Sequence, residues 1–431
     1  MTAVAADRIA SAAQALSVAN RLAAEFAVEA SDRDRGRRLP HAEVARLAAS
    51  GLLAITVPAE FGGADLPPSV VADVVRILAA ADPNIAQIPH SHFVYVNLLR
   101  LAGSAEQKQR YFAQVLDGAR IANAQSERGG ATVADIATTV RPLGTRFRVD
   151  GTKYYCTGSL FADLLAVLTR LDDPDGELPA GEYIAYLPAD TPGVRIIDDW
   201  NALGQRTTGS GTVEFDGVVV ESDQLIFRSD AVHAPTGYGA FAQLLHAAID
   251  AGIARGALSA ATKFVRSKSR PWFESGVGRA IDDPLLIQRF GELSVAVVAA
   301  EATLRAAGLA VDRAVTSEPA LSNETVADTH RSGSPAQNGS VSAVPSAPSE
   351  AVAEASLAVA AAKVLADRAA NDVSSALFEV GGTRSTASDL NLDHFWRNAR
   401  THTLHDPVRW KYQHIGRALL HETAPPLHGV I

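Results

Sequence analysis

One cysteine, Cys156, and one methionine occur among 431 residues. A lone cysteine excludes an intrachain disulfide and any cysteine-rich metal site. No histidine pair flanked by carboxylates has ligand spacing, and His90-Ser91-His92 suits neither a helical pair nor a cage, so no metal is expected. A Gly-x-Gly-x-x-Gly after a strand is also missing, which argues against NAD(P)H bound in a Rossmann domain. Basic charge is in deficit: 39 Lys and Arg stand against 48 Asp and Glu, a formal net charge of -9, so no nucleic-acid partner is expected. Asp7 and Arg8 interrupt the N-terminal residues, so no secretory signal is read there. No run of about 18 apolar residues is found, so no membrane span is expected. Together these absences suggest a reducing, cytoplasmic setting.

What is present suits a large core: 47% of residues are hydrophobic and 20% charged. The length corresponds to about three ordinary domains, and the chain changes character accordingly. Residues 1–118 are Ala- and Leu-rich with helical spacing. Residues 119–228 shift to strand-like alternation. Arg146 to Val149 alternate and are followed by Asp150-Gly151, which predicts a hairpin turn. Tyr183 to Leu187 and Thr212 to Phe215 read as strands, and Val218 to Val220 as a buried one. Residues 229–431 return to helix. Asp283-Pro284 is a start signal, after which Leu286, Phe290, Leu293, Val297, Ala300 and Leu304 share one face. A second long helix is expected from about Glu350 to Phe378. Between these two, residues 316–349 are rich in Ser, Pro, Ala and Gly and read as a loosely ordered insertion. The fold class expected is α+β, mostly α: a helical domain, a central β-barrel and a C-terminal four-helix bundle.

The densest chemistry lies in Trp396-Arg-Asn-Ala-Arg-Thr-His-Thr-Leu-His-Asp-Pro-Val408. Pro407 cannot continue a helix, and it pushes Asp406 toward extended geometry. A break here puts His405 and Asp406 on a loop. His405 suits proton transfer, because imidazole as a group titrates near neutrality; the plainer reading is a capping or core histidine. Asp406 orients His405 or caps the turn, and His402 reads as an exposed helix-face residue. Cys156 reads as a small apolar wall residue.

Several motifs resemble the acyl-CoA dehydrogenase superfamily: Gly51-Leu-Leu-Ala-Ile-Thr-Val-Pro-Ala-Glu-Phe-Gly-Gly63, Lys153-Tyr-Tyr-Cys-Thr-Gly158 and Leu203-Gly-Gln-Arg-Thr-Thr-Gly-Ser-Gly-Thr212. Asp198-Asp-Trp200, Ser269-Arg-Pro-Trp-Phe273, Leu377-Phe-Glu-Val-Gly-Gly-Thr-Arg384 and the His405 segment resemble its flavin monooxygenase branch, which includes dibenzothiophene monooxygenase and the SfnB-type sulfur-acquisition oxidoreductases. The resemblance implies a homotetramer using reduced FMN from a separate NAD(P)H-dependent reductase. It also implies O2 and a flavin C4a-hydroperoxide that oxidises an organosulfur compound in sulfur acquisition.

The same resemblance assigns His405, Thr157 and Asn123 to catalysis, with Asn123, Ser126 and Thr157 along the flavin ring. Arg270 and Arg384 would hold the FMN phosphate from different subunits. Trp200 would wall the flavin or substrate, and Arg206 would brace the barrel. Gln87, His90 and His92 are alternatives for reaching substrate, with Gln87 and His92 the choices for the pocket. Where dehydrogenases carry Tyr-Glu-Gly-Thr, with Glu as base, this chain reads His405-Asp406-Pro407-Val408. That departure favours oxygen chemistry over an FAD-dependent acyl-CoA dehydrogenase using Asp406 as base. A non-catalytic flavin-binding or scaffold protein is the alternative from another class.

Overall fold

The computed structural model describes residues 6–173, 176, 178–317 and 349–429. It opens with seven helices: α1 (Ala12–Ala27), α2 (Ala30–Gly36), α3 (His41–Ala49), α4 (Pro68–Ala81), α5 (Pro83–Gln87), α6 (His90–Ala102) and α7 (Ala105–Leu116). Local chemistry sets their ends. Ser104 and Gln107 form a reciprocal capping box that opens α7. Asp82 accepts from the amides of Asn84 and Ile85, and Pro83 follows in the first turn of α5, where its missing N–H is no loss. Asp82 also receives the buried Arg33 guanidinium, with Nη2 at 2.9 Å.

The chain then enters one sheet: β1 (Ile121–Ala124), β2 (Thr139–Leu143), β3 (Arg146–Cys156), β4 (Leu164–Leu171), β5 (Gly181–Pro188), β6 (Val194–Ile197), β7 (Gly211–Val220) and β8 (Leu225–Phe227). The strand order is β6-β7-β3-β2-β4-β5-β8, with β1 lying parallel beside β4. The expected turn at Asp150-Gly151 is not there. β3 runs straight through it, and the hairpin closes two residues before Arg146, with Leu143 opposite Arg146. Gly151, at φ 154°, marks a register shift against β7 instead. Asp150 spends its carboxylate on Arg148 and on the amide of Gly217. Val218 to Val220 also differ from the expectation: Val219 is exposed between two buried neighbours, so β7 alternates.

Helices return as α8 (Ser229–His233), α9 (Tyr238–Lys268), α10 (Pro284–Ser317), α11 (Glu350–Gly381), α12 (Asp393–His402) and α13 (Arg409–His421). The insertion expected at 316–349 lies, for residues 318–348, outside the described residues. Of the 31 residues of α9, 23 are buried, as expected for a helix surrounded by others. It packs against α4, α10 and α11. At the α4 crossing, a Cβ on Gly252 would sit 2.5 Å from the Ala79 methyl, so only glycine permits the approach.

α10 buries the face predicted for it, through Leu293, Val297, Ala300 and Leu304. Although charged residues such as Glu292, Glu301 and Arg305 interrupt it and no uninterrupted run of 18 apolar residues occurs in it, α10 is by length and composition alone apolar enough to cross a membrane. The reason is its other face, where Leu285, Ile287, Val295, Val298 and Leu309 are exposed.

Candidate active site

The strand β3 ends in a kink. Its register against β7 shifts between Lys153 and Cys156, and Tyr155 takes a left-handed φ of 58°. A β-branched or aromatic residue tolerates that conformation only where surroundings impose it. Here Arg128 lies over the Tyr155 ring at 5.0 Å, and Trp200 meets the ring edge-on at 6.1 Å. The kink re-aims Thr157, whose hydroxyl lies 2.7 Å from Ser210 Oγ. Ser210 is in turn 2.7 Å from Thr208 Oγ1, which donates to the carbonyl of Gln205. Cys156 faces the sheet core, and burial pushes its thiol up to about 12, so it is an inert wall residue as expected.

The loop from Trp200 to Ser210 is fastened to α12. Asn398 Oδ1 accepts from the Gln205 amide at 2.6 Å, and Thr401 Oγ1 from the Gly204 amide at 2.8 Å. The Trp200 indole donates to the Gln205 carbonyl at 2.7 Å. Arg206 donates to the Asp34 carbonyl at 2.9 Å. Thus Thr157, in the turn just past β3, and the helix bearing His402 are joined through one hydrogen-bonded loop.

α12 stops at His402, and a turn leads through Pro407 into α13, so His405 and Asp406 lie on the break the sequence predicts. His402, however, is not on an exposed face. It is 2% exposed and bonded at both ring nitrogens. Nδ1 lies 2.5 Å from Asp250 Oδ1, and Nε2 lies 3.2 Å from Nδ1 of His246. His246 is sandwiched: its ring centroid is 3.9 Å from that of His405 on one side and 3.9 Å from that of His90 on the other. His90 Nε2 is 3.0 Å from the Ala242 carbonyl. Burial depresses His90 to about 3 and drives His246 and His402 well below the usual imidazole range; neighbouring histidines push all three the same way. Of the four rings, His405 reaches furthest out, its side chain 44% exposed.

Behind the rings lies a buried charge cluster. Lys363 Nζ is 2.7 Å from both Asp250 and Asp367. Burial alone would lower Lys363, but Asp250, Asp367 and Asp406 overcome it and hold the lysine charged. Asp406 Oδ2 is 3.1 Å from Lys411 Nζ, while its Oδ1 is 3.9 Å from His405 Nδ1. Burial would raise the Asp406 carboxyl; His405, Lys363 and Lys411 outweigh it and hold the carboxyl well below the carboxylate range.

Several expected residues are placed differently. His92 acts as a brace: Nε2 lies 2.8 Å from the Leu53 carbonyl, and Nδ1 accepts from the Ile121 amide at 3.1 Å. Both nitrogens are spent on backbone, so none is left for a substrate. Of the three alternatives, His90 is the one stacked in the histidine cluster. Gln87 lies one turn before it, with its buried Oε1 unpaired among the described residues. Ser126 is exposed and pairs only through backbone with Tyr154. Arg384 donates to the carbonyl of Lys268 at 2.5 Å, two residues before Arg270, so one chain gathers both arginines at the end of α9. That end is 22 residues, about 33 Å, from His246 along the helix.

Sequence reading missed Gln243, His246 and Asp250 on α9, and Lys363 and Asp367 on α11. Their signal was there as polar residues spaced three, four and seven apart within apolar helices.

The residues fit a flavin. Asn123 Oδ1, Gln87 Oε1 and Gln243 Oε1 are buried without hydrogen-bond partners among the described residues. Such acceptors cost about 1–3 kcal/mol each if left unmade, and a planar ring carrying N–H groups would satisfy them. The turn at Gly158 ties these walls together: a Cβ there would lie 3.2 Å from the Ile88 carbonyl and 3.6 Å from Ala122.

Comparison with known proteins agrees. Residues 12–119, 122–218 and 244–356 match the acyl-CoA dehydrogenase N-terminal, middle and C-terminal domains. Dibenzothiophene monooxygenase of Rhodococcus qingshengii is 33% identical over 95% of this chain and 94% of its own length. A probable FMNH2-dependent monooxygenase, SfnC of Pseudomonas putida, is 31% identical over 95% of this chain and 96% of its own. The crystal structure of FMN-bound TdsC from Paenibacillus sp. A11-2 superposes with a TM-score of 0.85 at 33% identity, covering 97% of this chain and 100% of that one. With the fold, the matched domains and these relatives in agreement, the chain belongs to the acyl-CoA dehydrogenase superfamily, in its branch of FMN-dependent monooxygenases.

Proposed function

We propose that this enzyme transfers one oxygen atom from O2 to the sulfur of a small or aromatic organosulfur compound, in sulfur acquisition. Reduced FMN, delivered by a separate NAD(P)H-dependent reductase, supplies the two electrons that let the second oxygen atom leave as water. The chain's own residues bind, orient and handle protons. Asn123 and the Thr157 hydroxyl read the edge of the flavin ring, and Gln87 and Gln243 offer further acceptors. Trp200 and the kinked Tyr155 wall the site. His405 gives and takes the proton, and enclosure of the site keeps water out.

The observation that supports this reading most is His405, stacked at the outer end of three buried neutral imidazoles. Asp406, the base of the rival dehydrogenase reading, is instead committed to Lys411. Arg270 and Arg384 sit at the far end of α9, too distant to serve their own chain's histidine site. They hold the FMN phosphate of a second copy, and the exposed apolar face of α10 supplies contact for a homotetramer. The test is incubation with a flavin reductase, NADH, FMN and O2, against a panel of sulfides, sulfoxides, sulfones and thiophenes. An oxidised product carrying label from 18O2 is expected. Hydrogen peroxide alone, with every substrate, would sink the proposal.

A further inference from the structure

We propose that Asp250, His402 and His246 form a polarised hydrogen-bonded wire. On this view His246 is a further positioning residue for the oxygenation: it holds a fixed tautomer against His405 and confines the working proton to that outer ring. The inference rests on His405 as the proton-handling group.

The polarity follows from the inner end. Lys363 Nζ donates to Asp250 Oδ2 at 2.7 Å, leaving Oδ1 to face His402 Nδ1 at 2.5 Å. A carboxylate only accepts, so His402 Nδ1 carries the hydrogen. In a neutral ring Nε2 is then bare, and its partner 3.2 Å away, His246 Nδ1, must donate. His246 is therefore left with a bare Nε2 in the stack between His90 and His405. His90 is fixed separately, because its Nε2 donates to the Ala242 carbonyl. A second proton on His402 would sit on Nε2 against the His246 Nδ1–H and break this order, and neither His246 nor His90 has a carboxylate partner among the described residues. Burial reinforces that, keeping all three neutral. The charged and titratable groups around His405 are His90 from α6, His246 from α9, His402 from α12 and Asp406 in its own turn, with Lys363 from α11 and Lys411 from α13 acting on Asp406 behind them. Each inner ring thus presents a neutral face to His405, while the Asp250 charge, passed through two hydrogen bonds, enriches the ring stacked on it.

The arrangement parallels the carboxylate–imidazole pair of a hydrolase triad, where the acid fixes which nitrogen bears the proton. One substitution reads it out. In Asp250→Asn the lysine still needs an acceptor, so the amide oxygen turns to Lys363 and the NH2 faces His402. His402 must then accept at Nδ1 and carry its hydrogen on Nε2, and His246 must invert in turn.

Two-dimensional 15N–1H spectra of the histidine-labelled apoprotein report this without flavin or turnover. Both His402 and His246 are expected as neutral Nδ1–H tautomers, inverting together in Asp250→Asn. With reductase, FMN and O2, kcat is expected to fall about 10²–10⁴-fold, with KM little changed. His246→Asn is the second variant. Its amide still donates to His402, so the His402 tautomer should stay while kcat falls at least tenfold. A wild-type His246 found as Nε2–H or imidazolium would overturn the wire. An unchanged kcat in His246→Asn would overturn its role. If His405→Ala leaves turnover intact, it is the proton-handling assignment that fails, whereas the apoprotein spectra judge the wire on their own.

Discussion

Asp367→Asn tests the charge count behind the histidines. Lys363 stands 2.7 Å from two buried carboxylates, Asp250 and Asp367. One cation does not keep both ionised, and burial together with Asp250 pushes Asp367 up to about 8. In the unfolded chain an aspartate titrates near ~3.9. Below that pH both states hold the proton, and the contribution to stability is fully present. As pH rises from about 4 to about 8, the unfolded state releases its proton and the folded state does not, so stability falls across that window and then levels. Four pH units at ~1.36 kcal/mol each give about 5 kcal/mol as a ceiling. Sharing of one proton between two acids brings the working figure to a few kcal/mol.

Asparagine mimics the protonated acid, its oxygen accepting from Lys363 and its NH2 turned to Asp250. The variant therefore lacks the slope. Thermal midpoints compared at about pH 5 and about pH 9 should show near equality at the lower pH and a variant several degrees more stable at the higher. Parallel pH curves, or a variant less stable at about pH 9, would refute the reasoning and place the proton elsewhere.

Other substitutions probe single roles. His405→Ala should lower turnover by about 10²–10⁴-fold, while fluorescence titration shows FMN binding mostly kept; unchanged turnover removes His405 from the chemistry. Arg384→Ala should weaken FMN binding by roughly tenfold or more, the worth of a charge-assisted bond, and an unaltered dissociation constant refutes its phosphate role. His92→Leu strips partners from the Leu53 carbonyl and the Ile121 amide. It should cost about 2–4 kcal/mol of stability while leaving kcat within about threefold, and a large loss of kcat in the folded variant would return His92 to the site.

The sequence carried the helices well where periodicity was strong. Leu293, Val297, Ala300 and Leu304 repeat at helical spacing and are all buried. It misled at Asp150-Gly151, because the dipeptide that favours a tight turn also suits a bulge, and only the partner strand decides between them. His405 was legible because Pro407 breaks the helix beside it and because the segment resembles a known family. His246 was not. In a helix buried all round, a histidine reads as one polar interruption among apolar neighbours. Its meaning depends on His402, 156 residues later in sequence, and on Lys363 from yet another helix. His402 was read as exposed for the same reason: local pattern shows a helical face, not what packs on it.

On the proposed function, the turn at 402–407 is where one scaffold separates oxygenation from desaturation. The resemblance sets Asp406 against the glutamate that dehydrogenases use as base, one carbon shorter. A base must be free to take a proton from substrate. Asp406 is not free: its Oδ2 is paired with Lys411 at 3.1 Å, and Lys363 adds to the field that keeps the carboxyl ionised. So strongly held a carboxylate is a poor proton acceptor. Its neighbour has the opposite properties. His405 projects outward, stacks on His246 and carries no structural ion pair shorter than 3.9 Å. Oxygen-atom transfer that releases water calls for a group that both gives and takes a proton, which an imidazole does and a locked carboxylate does not. On the proposed function the carboxylate fixes the turn, the proposed wire keeps the neighbouring rings neutral, and the proton chemistry falls to His405.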